Sequence, residues 1–326
     1  MTKARVVSLS ELGSADVIQV IDKELPAPGK GEVLLRQTAI GFNFIDIYQR
    51  SGYYPLDLPT GLGHEAVGVV EALGEGVTGL KVGDRVMYMN AGIGAYASAR
   101  NVAADKLVPV PSNVSDEVAA AVFFKAMTAQ YLIQKTYKVK SGDIVLVHSA
   151  AGGVGQILAG WAKALGAFVV GSVGSQAKVA TAKEAGCDAV IDYSMPNWVD
   201  EFIKATGGKK ANVVYDSVAK TTFMGSLDCV APFGTLALFG ASSGSAPEIQ
   251  PEILNKKGCL FLTRPSVFPH NATPALLQEN AKAVFDAIAK GYVKVKTAAT
   301  FPLEQAADAH RAAESRKVSG AIVMIP

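Results

Sequence analysis

Ile144-Val-Leu-Val-His148-Ser-Ala150-Ala-Gly152-Gly153-Val-Gly155-Gln-Ile-Leu-Ala159 is the stretch on which the fold turns. Four apolar residues read as a buried strand, the Ala-x-Gly-x-x-Gly run as a tight turn, and Gln156–Leu165 as a helix. In that frame Gly152 lets the backbone approach a pyrophosphate and Gly155 lets the helix pack close to the strand. The helix N–H groups attract the anion, with Gly153 and Val154 contributing backbone to the same cradle. Ala150 stands where such patterns carry their first glycine. The bland reading is a tight turn in some other doubly wound fold, and the complete strand-turn-helix frame weighs against it.

The next strand predicted by the pattern, Phe168–Gly171, leads into Ser172-Val173-Gly174-Ser175. A site for NAD usually ends this strand in Asp or Glu, which holds the ribose 2′-OH. Here there is no acid, so nothing repels a 2′-phosphate. Ser172, Ser175 and Lys178 offer hydroxyl donors and one positive charge, and Tyr193, at the end of the third strand, completes the set. NADPH is therefore expected over NADH, and an acid introduced at Val173 is expected to reverse the preference. A solvated lysine at a helix start is the bland reading of Lys178 taken alone.

Further along, helices over Lys178–Ala185, Trp198–Ala205 and Phe223–Cys229 alternate with strands at Ala189–Ile191, Val213–Asp216, Thr235–Phe239 and Cys259–Thr263. This alternation predicts a doubly wound parallel sheet, an α/β Rossmann domain over 125–265. Residues 1–124 read differently, as short strands (Ala4–Val7, Ile18–Val20, Glu32–Ile40, Ala66–Leu73, Arg85–Tyr88) broken by turn chemistry. A helix is expected to start with Ser115 as N-cap and Asp116 and Glu117 in its first turn. After Pro265 come a helix (Pro274–Ala289), a strand (Ala298–Leu303), a helix (Glu304–Ser315) and the strand Ala321–Ile325. That last strand is expected to rejoin the N-terminal β-rich domain, making it 1–124 plus 266–326.

Composition excludes several classes. The chain has 326 residues, 49% hydrophobic and 18% charged, which describes a buried globule and no disordered polymer. Its 31 basic and 29 acidic residues leave a net charge of +2 with no long run of one sign, so nucleic acid is not expected as the main ligand. There is no apolar stretch of signal-peptide or membrane-span type, and a cytoplasmic protein is expected. Cys187, Cys229 and Cys259 are widely spaced, which signals neither a disulfide framework nor a zinc knuckle.

Four segments in order, Asn43-Phe44-Ile45-Asp46-Ile47-Tyr48, Gly61-Leu62-Gly63-His64-Glu65-Ala66-Val67-Gly68, Lys81-Val82-Gly83-Asp84-Arg85-Val86 and the glycine turn, resemble the quinone oxidoreductases. These are the zeta-crystallin-like, zinc-independent branch of the medium-chain dehydrogenase/reductase superfamily. Val214-Tyr215-Asp216-Ser217-Val218, Thr263-Arg264-Pro265-Ser266 and Glu314-Ser315-Arg316 extend the likeness to the C-terminus. The resemblance implies a GroES-like β domain, a Rossmann domain, NADPH as cofactor, a quinone substrate and a homodimer. It implies that Asn43, Tyr48 and Tyr54 line the substrate site, with Phe44, Asp46, Lys125, Thr128 and Tyr131 beside the nicotinamide and ribose. Ser217, Phe239, Gly240, Ala241 and Ser242, with Leu262, Thr263 and Arg264, are implied to hold the cofactor through the backbone around them, and Arg316 to approach its phosphates.

The zinc alcohol dehydrogenases share this scaffold. Of their three catalytic ligand positions only His64 keeps a ligand type; the others fall at Asn43 and at Lys125–Ala126. A catalytic zinc needs three protein ligands and an open fourth position, so no metal is expected and His64 reads as a packing residue. Reduction of a quinone is the favoured activity. Reduction of an enone or enal at the same site is the alternative, and a non-catalytic crystallin or RNA-binding role is the reading from another class.

Overall fold

The computed structural model describes residues 1–294, 297–315 and 318–326. The chain divides into two units, Met1–Lys125 with Asn271–Ala281 and Val295–Pro326, and Ala126–His270 with Lys282–Lys294. The second unit thus takes residues from within 266–326. One contact shows why: a Cβ on Gly160 would lie 3.1 Å from the carbonyl of Tyr292, so the segment after the long C-terminal helix lies against the first Rossmann helix.

In the first unit the chain runs β1 (Thr2–Ser8), β2 (Gln19–Leu25), β3 (Glu32–Gly41), α1 (Phe44–Arg50), β4 (Glu65–Leu73), β5 (Arg85–Met89), β6 (Ala99–Ala103) and β7 (Leu107–Pro109). Then comes α2 (Asp116–Tyr131), which carries the chain into the second unit. Ser115 caps α2 as predicted, its hydroxyl accepting from the N–H of Val118 at 3.3 Å. β3 is the hub of this unit, pairing antiparallel with β4 and β6. Val33, Leu35 and Ile40 from β3 pack with Val86, Tyr88 and Leu62 into the core. Burying each such side chain contributes about 1.5–3 kcal/mol.

The second unit follows as β8 (Ile144–Val147), α3 (Gly153–Ala164), β9 (Phe168–Val173), α4 (Val179–Glu184), β10 (Ala189–Asp192), α5 (Trp198–Ala205), β11 (Ala211–Asp216) and α6 (Phe223–Cys229). It continues with β12 (Val230–Leu238), α7 (Glu252–Lys256), β13 (Phe261–Thr263) and α8 (Val267–His270). Its six strands pair in parallel in the order β10-β9-β8-β11-β12-β13. The order reverses direction between β8 and β11, the point at which open α/β sheets bind ligands.

After α9 (Pro274–Ala289) come β14 (Thr297–Pro302), α10 (Ala306–Glu314) and β15 (Ala321–Ile325). β15 pairs antiparallel with β3, Val323 opposite Gly41 and Met324 opposite Ile40, so the chain end does rejoin the N-terminal sheet. The fold class is as expected: a GroES-like β-rich domain and a doubly wound α/β domain. Among the described residues no helix is long and apolar enough to cross a membrane.

Candidate functional site

The glycine turn is built by backbone contacts that leave no room for side chains. Ser149, at φ 52°, turns the chain out of β8, and its carbonyl accepts from the N–H of Gly152 at 2.8 Å. A Cβ on Gly155 would stand 2.2 Å from that carbonyl oxygen and 2.9 Å from Cα of Ala150, so α3 approaches β8 as closely as a backbone can. Ala150 is tolerated because its neighbour gives way: a Cβ on Gly171 would meet the Ala150 methyl at 2.8 Å. The space normally freed by the first glycine is supplied here by Gly171, across the β8–β9 pair.

The end of β9 is open to solvent at Gly174 and Ser175, with Lys178 half-exposed one turn on. The phenol oxygen of Tyr193 lies over the strand end, 2.7 Å from where a Gly174 Cβ would be. Two expectations need correction. Ser172 is fully buried with its hydroxyl 2.6 Å from Nδ1 of His148, so it faces the interior and does not offer that hydroxyl to a phosphate. Val173 is buried as well, so an acid placed there would lie in the interior, whereas Ser175 is exposed.

His148 belongs to a buried chain that sequence reading missed. The Ser226 hydroxyl donates to Oδ2 of Asp216 at 2.8 Å, so it accepts from Nε2–H of His148 at 2.9 Å, and Nδ1 accepts from Ser172. Burial holds the imidazole pKa low and the ring neutral. Asp216 also accepts from the N–H groups of Val218 and Ala219 and from Thr222. Its backbone carbonyl receives Phe239 N–H at 2.8 Å, and Ser217 receives that of Ser242 at 3.1 Å. The tips of β8, β9, β11 and β12 are thereby fixed to one another, with Ser217, Phe239, Gly240, Ala241 and Ser242 on one rim. Arg264, following Leu262 and Thr263 of β13, donates to the Leu238 carbonyl at 2.8 Å. On α2, Thr128 is buried and Tyr131 stacks on His270 with centroids 4.5 Å apart.

The first unit holds a second buried cluster, around the start of α1. Asn43 donates from Nδ2 to Oε1 of Glu65 at 2.8 Å, and its Oδ1 accepts from the Lys125 ammonium at 3.2 Å. Lys125 also donates to the Phe42 carbonyl at 2.8 Å and stands 3.6 Å from Glu65, whose other oxygen accepts from Phe124 N–H. Burial pushes the Glu65 carboxyl pKa up and the Lys125 ammonium pKa down, and each charge opposes the shift of the other. Lys125, expected beside a cofactor ring, thus spends its charge on Glu65, Asn43 and Phe42. Gly41 makes this possible, since its Cβ would lie 2.2 Å from Oε1 of Glu65. Glu65 follows His64 directly, and that adjacency was the one signal that could have marked it.

Asp46 also departs from expectation. Its carboxylate is fully buried, accepting from Asn43 N–H and the Tyr96 hydroxyl, each at 2.9 Å, and so it caps α1 and does not face a cofactor with its side chain. Beyond Tyr96 lie His310, buried Arg50 and Glu314. His64 pairs through Nε2 with Oε1 of Gln49 at 2.9 Å, and burial pulls its pKa to about 4. The three zinc-ligand positions therefore carry an amide, one imidazole and an ammonium that would repel a cation. Among the described residues no group of three or more His, Cys, Asp or Glu is placed to hold a metal. Phe44, Tyr48, Tyr53 and Tyr54 form an aromatic group in which Phe44 and Tyr53 are exposed and Tyr48 and Tyr54 half-buried. Arg316 lies outside the described residues.

Desolvation raises the Asp46 pKa from 3.8 to about 7. The folded protein thus binds this proton more tightly than the unfolded chain. The stabilisation is complete below pH 3.8 and lost as the pH rises through about 7. Asp46→Asn cannot ionise, so its stability relative to wild type is expected to improve by a few kcal/mol between about pH 4 and pH 8. Urea unfolding at several pH values checks this, and a difference independent of pH would remove the assignment.

A doubly wound unit with a glycine turn at its first βα junction, joined to a GroES-like β unit, is the architecture of the medium-chain dehydrogenase/reductase superfamily. Residues 29–112 match the alcohol dehydrogenase GroES-like domain family and residues 153–290 the zinc-binding dehydrogenase family. The chain is 43% identical over 324 residues to a quinone oxidoreductase of Pseudomonas aeruginosa, covering 99% of this chain and all of that one. It is 44% identical over 307 residues to a 2-haloacrylate reductase of a Burkholderia species, with 92% of each covered. The crystal structure of Escherichia coli quinone oxidoreductase complexed with NADPH superposes with a TM-score of 0.96 at 43% identity, covering 99% of this chain and all of that one. The chain belongs to the quinone oxidoreductase family.

Proposed function

We propose that this chain is an NADPH-dependent quinone reductase that works without zinc. The observation that carries the choice of coenzyme is the end of β9, where Gly174 and Ser175 replace a carboxylate and Tyr193 and Lys178 stand alongside. The turn 149–155 fits a pyrophosphate, because it leads directly into the start of α3, whose first-turn N–H groups have no acceptor within the helix. Gly152, Gly153 and Val154 would hold the pyrophosphate, Ser175, Lys178 and Tyr193 the 2′-phosphate, and the 217 and 239–242 backbone the nicotinamide end. When bound, the reduced nicotinamide supplies a hydride.

The chain's own part is to orient the acceptor. Asn43 is gripped at both ends, its Oδ1 by Lys125 and one Nδ2 hydrogen by Glu65. The second Nδ2 hydrogen is then aimed in a fixed direction, and it is the donor for the acceptor's carbonyl oxygen as negative charge builds there. Tyr48 and Tyr54 flank the acceptor ring. No Lewis acid is required, since a quinone is already electrophilic. Likeness to the 2-haloacrylate reductase favours one second reading, hydride delivery to the β-carbon of an activated alkene with the same Asn43 donor on its carbonyl. A homodimer in the cytoplasm, with neither nucleic acid nor membrane as partner, completes the proposal. Edge strand β13 and its exposed Phe261 are the surface that would pair.

Coenzyme choice tests the reading. A charge-assisted hydrogen bond contributes about 1.5–3 kcal/mol when desolvated, and half-exposed Lys178 falls at the lower end. Lys178→Ala is expected to weaken NADPH about five- to tenfold and to leave NADH nearly unchanged, while Ser175→Asp shifts preference toward NADH. Fluorescence titration of both nucleotides decides, and equal losses for the two would show that Lys178 does not read the 2′-phosphate.

A further inference from the structure

A chain of buried polar side chains runs from Asn43 into the interior, and only its first member, Asp46, has a part in the reading given so far. Asp46, Tyr96 and His310 are fully buried, and Arg50 is 2% exposed. His310 comes from α10, which turns Ala306, Ala309 and His310 inward, the two alanines packing in the core built on β3. The protons along this chain can be ordered. An arginine only donates, so Arg50, 3.2 Å from Nδ1 of His310, makes that nitrogen the acceptor and places the ring proton on Nε2. Burial and the Arg50 charge hold the imidazole pKa at about 3, so the ring stays neutral. Nε2–H then donates to the Tyr96 oxygen at 3.3 Å, and Tyr96 directs its own proton to Oδ2 of Asp46 at 2.9 Å. The same Oδ2 accepts from Asn43 N–H at 2.9 Å, while Oδ1 has no hydrogen-bond partner among the described residues, so one oxygen joins the chain to the Asn43 backbone. At the far end Glu314 holds Arg50 through both carboxylate oxygens, at 3.0 and 2.5 Å.

A second contact acts on the same corner. The His310 ring meets Phe42 edge-on, with centroids 5.0 Å apart, and Phe42 N–H donates to the Ile322 carbonyl of β15 at 3.2 Å. One histidine of the C-terminal segment therefore reaches Asn43 by two routes, through Phe42 before it and through Tyr96 and Asp46 at its own N–H. Burying four polar groups in this way costs more than apolar packing of the same volume. What they supply is direction. Resting on the reading of Asn43 as the donor to the acceptor's carbonyl, we infer that Tyr96 and His310 are positioning residues for hydride transfer, fixing through Asp46 and Phe42 the backbone from which the Asn43 amide is aimed. Fully buried, both act through their neighbours.

Tyr96→Phe keeps the ring and removes only the proton given to Asp46. His310→Phe keeps both ring contacts and removes the N–H that orients the Tyr96 hydroxyl. Misplacing a reacting group by about 1 Å slows a reaction about a hundredfold, so losing one restraint among several should lower kcat about five- to tenfold in Tyr96→Phe and about threefold in His310→Phe. With duroquinone as acceptor, KM and the NADPH dissociation constant should both stay within about twofold of wild type. Each change is then repeated in Asn43→Ala, which retains the backbone N–H but lacks the aimed amide. In that background both losses should vanish, because nothing is left to position. A packing defect would slow the two backgrounds alike, so losses that persist in Asn43→Ala overturn the positioning role, as does an unchanged kcat in both phenylalanine variants. Asn43→Ala protein that turns over like wild type instead removes the parent reading of Asn43, and this one with it. Thermal unfolding of every variant establishes that each rate belongs to folded protein.

Discussion

Lys125→Met is expected to be the most damaging single change in the first unit. Lys125 is buried, and its ammonium reaches Phe42 O, Asn43 Oδ1 and, at 3.6 Å, the carboxylate of Glu65, which is 1% exposed. Methionine fills nearly the same volume but leaves Glu65 with two hydrogen-bond donors and no counter-charge. Removing one partner of a buried pair costs about 3–5 kcal/mol. Lys125 normally lowers the Glu65 pKa, so the variant's carboxyl holds its proton to a higher pH, and the loss should be larger at alkaline than at acidic pH. Asn43 would also lose one of its two restraints, and a displacement of about 1 Å in a catalytic group costs about a hundredfold in rate. Glu65→Gln combined with Lys125→Met removes both charges and should recover much of the stability but little of the rate. Urea midpoints and kcat for the two single variants and the double variant form the test, and a double variant as unstable as the sum of the singles would show that the pair is not coupled.

The strands and helices that sequence reading located best are those whose burial follows a simple period. β3, β4 and β5 have the pattern of strands with a buried face, and the alternation from β8 to β11 follows from apolar runs separated by turns. What escaped lacks that signal. β6 carries Arg100 and Asn101 at half-buried positions, and β7 is three residues long. α1 is rich in β-branched and aromatic residues that disfavour an isolated helix. It exists because Asp46 caps its N-terminus and because Ile47, Gln49 and Arg50 are buried, the last against Glu314. The last is a tertiary reason, supplied by a residue 264 positions away. β12 begins at Val230 although Pro232 and Gly234 argue against a strand there, and its pairing with β11 shifts register at that point.

The site divides in the same way. The glycine turn and the missing acid are local, and both were legible. The networks that hold the site are not local. The chain His148–Ser226–Asp216 joins residues 78 and 10 positions apart, and Glu65 lies 22 residues from Asn43 and 59 from Phe124. No period or motif spacing encodes such partners. Ser172, read by residue type, and Asp46 and Lys125, assigned through the resemblance, share one feature that neither route reveals: burial commits each side chain to a neighbour inside its own unit.

Gly155→Ala isolates the local part. The added methyl would stand 2.2 Å from the Ser149 carbonyl oxygen and 2.9 Å from Cα of Ala150, and both are backbone atoms that cannot rotate away. Either α3 moves off β8 or the turn 149–152 opens, and overpacking of this kind costs about 1–3 kcal/mol. The larger consequence falls on the nucleotide. Anion binding at a helix start depends on N–H groups held to within about 0.5 Å, so a shift of about 1 Å is expected to weaken NADPH roughly a hundredfold. The pyrophosphate is common to both coenzymes, so NADH should weaken by the same factor, unlike the selective loss expected for Lys178→Ala. Gly152→Ala is the comparison variant: its methyl would meet the same oxygen at 3.1 Å, which a shift of a few tenths of an ångström relieves. It should fold close to wild type and lose affinity only if that space belongs to the ligand. Thermal unfolding together with titration of NADPH and NADH separates these effects, and a Gly155→Ala protein that binds NADPH as tightly as wild type would show that the pyrophosphate does not sit on this turn.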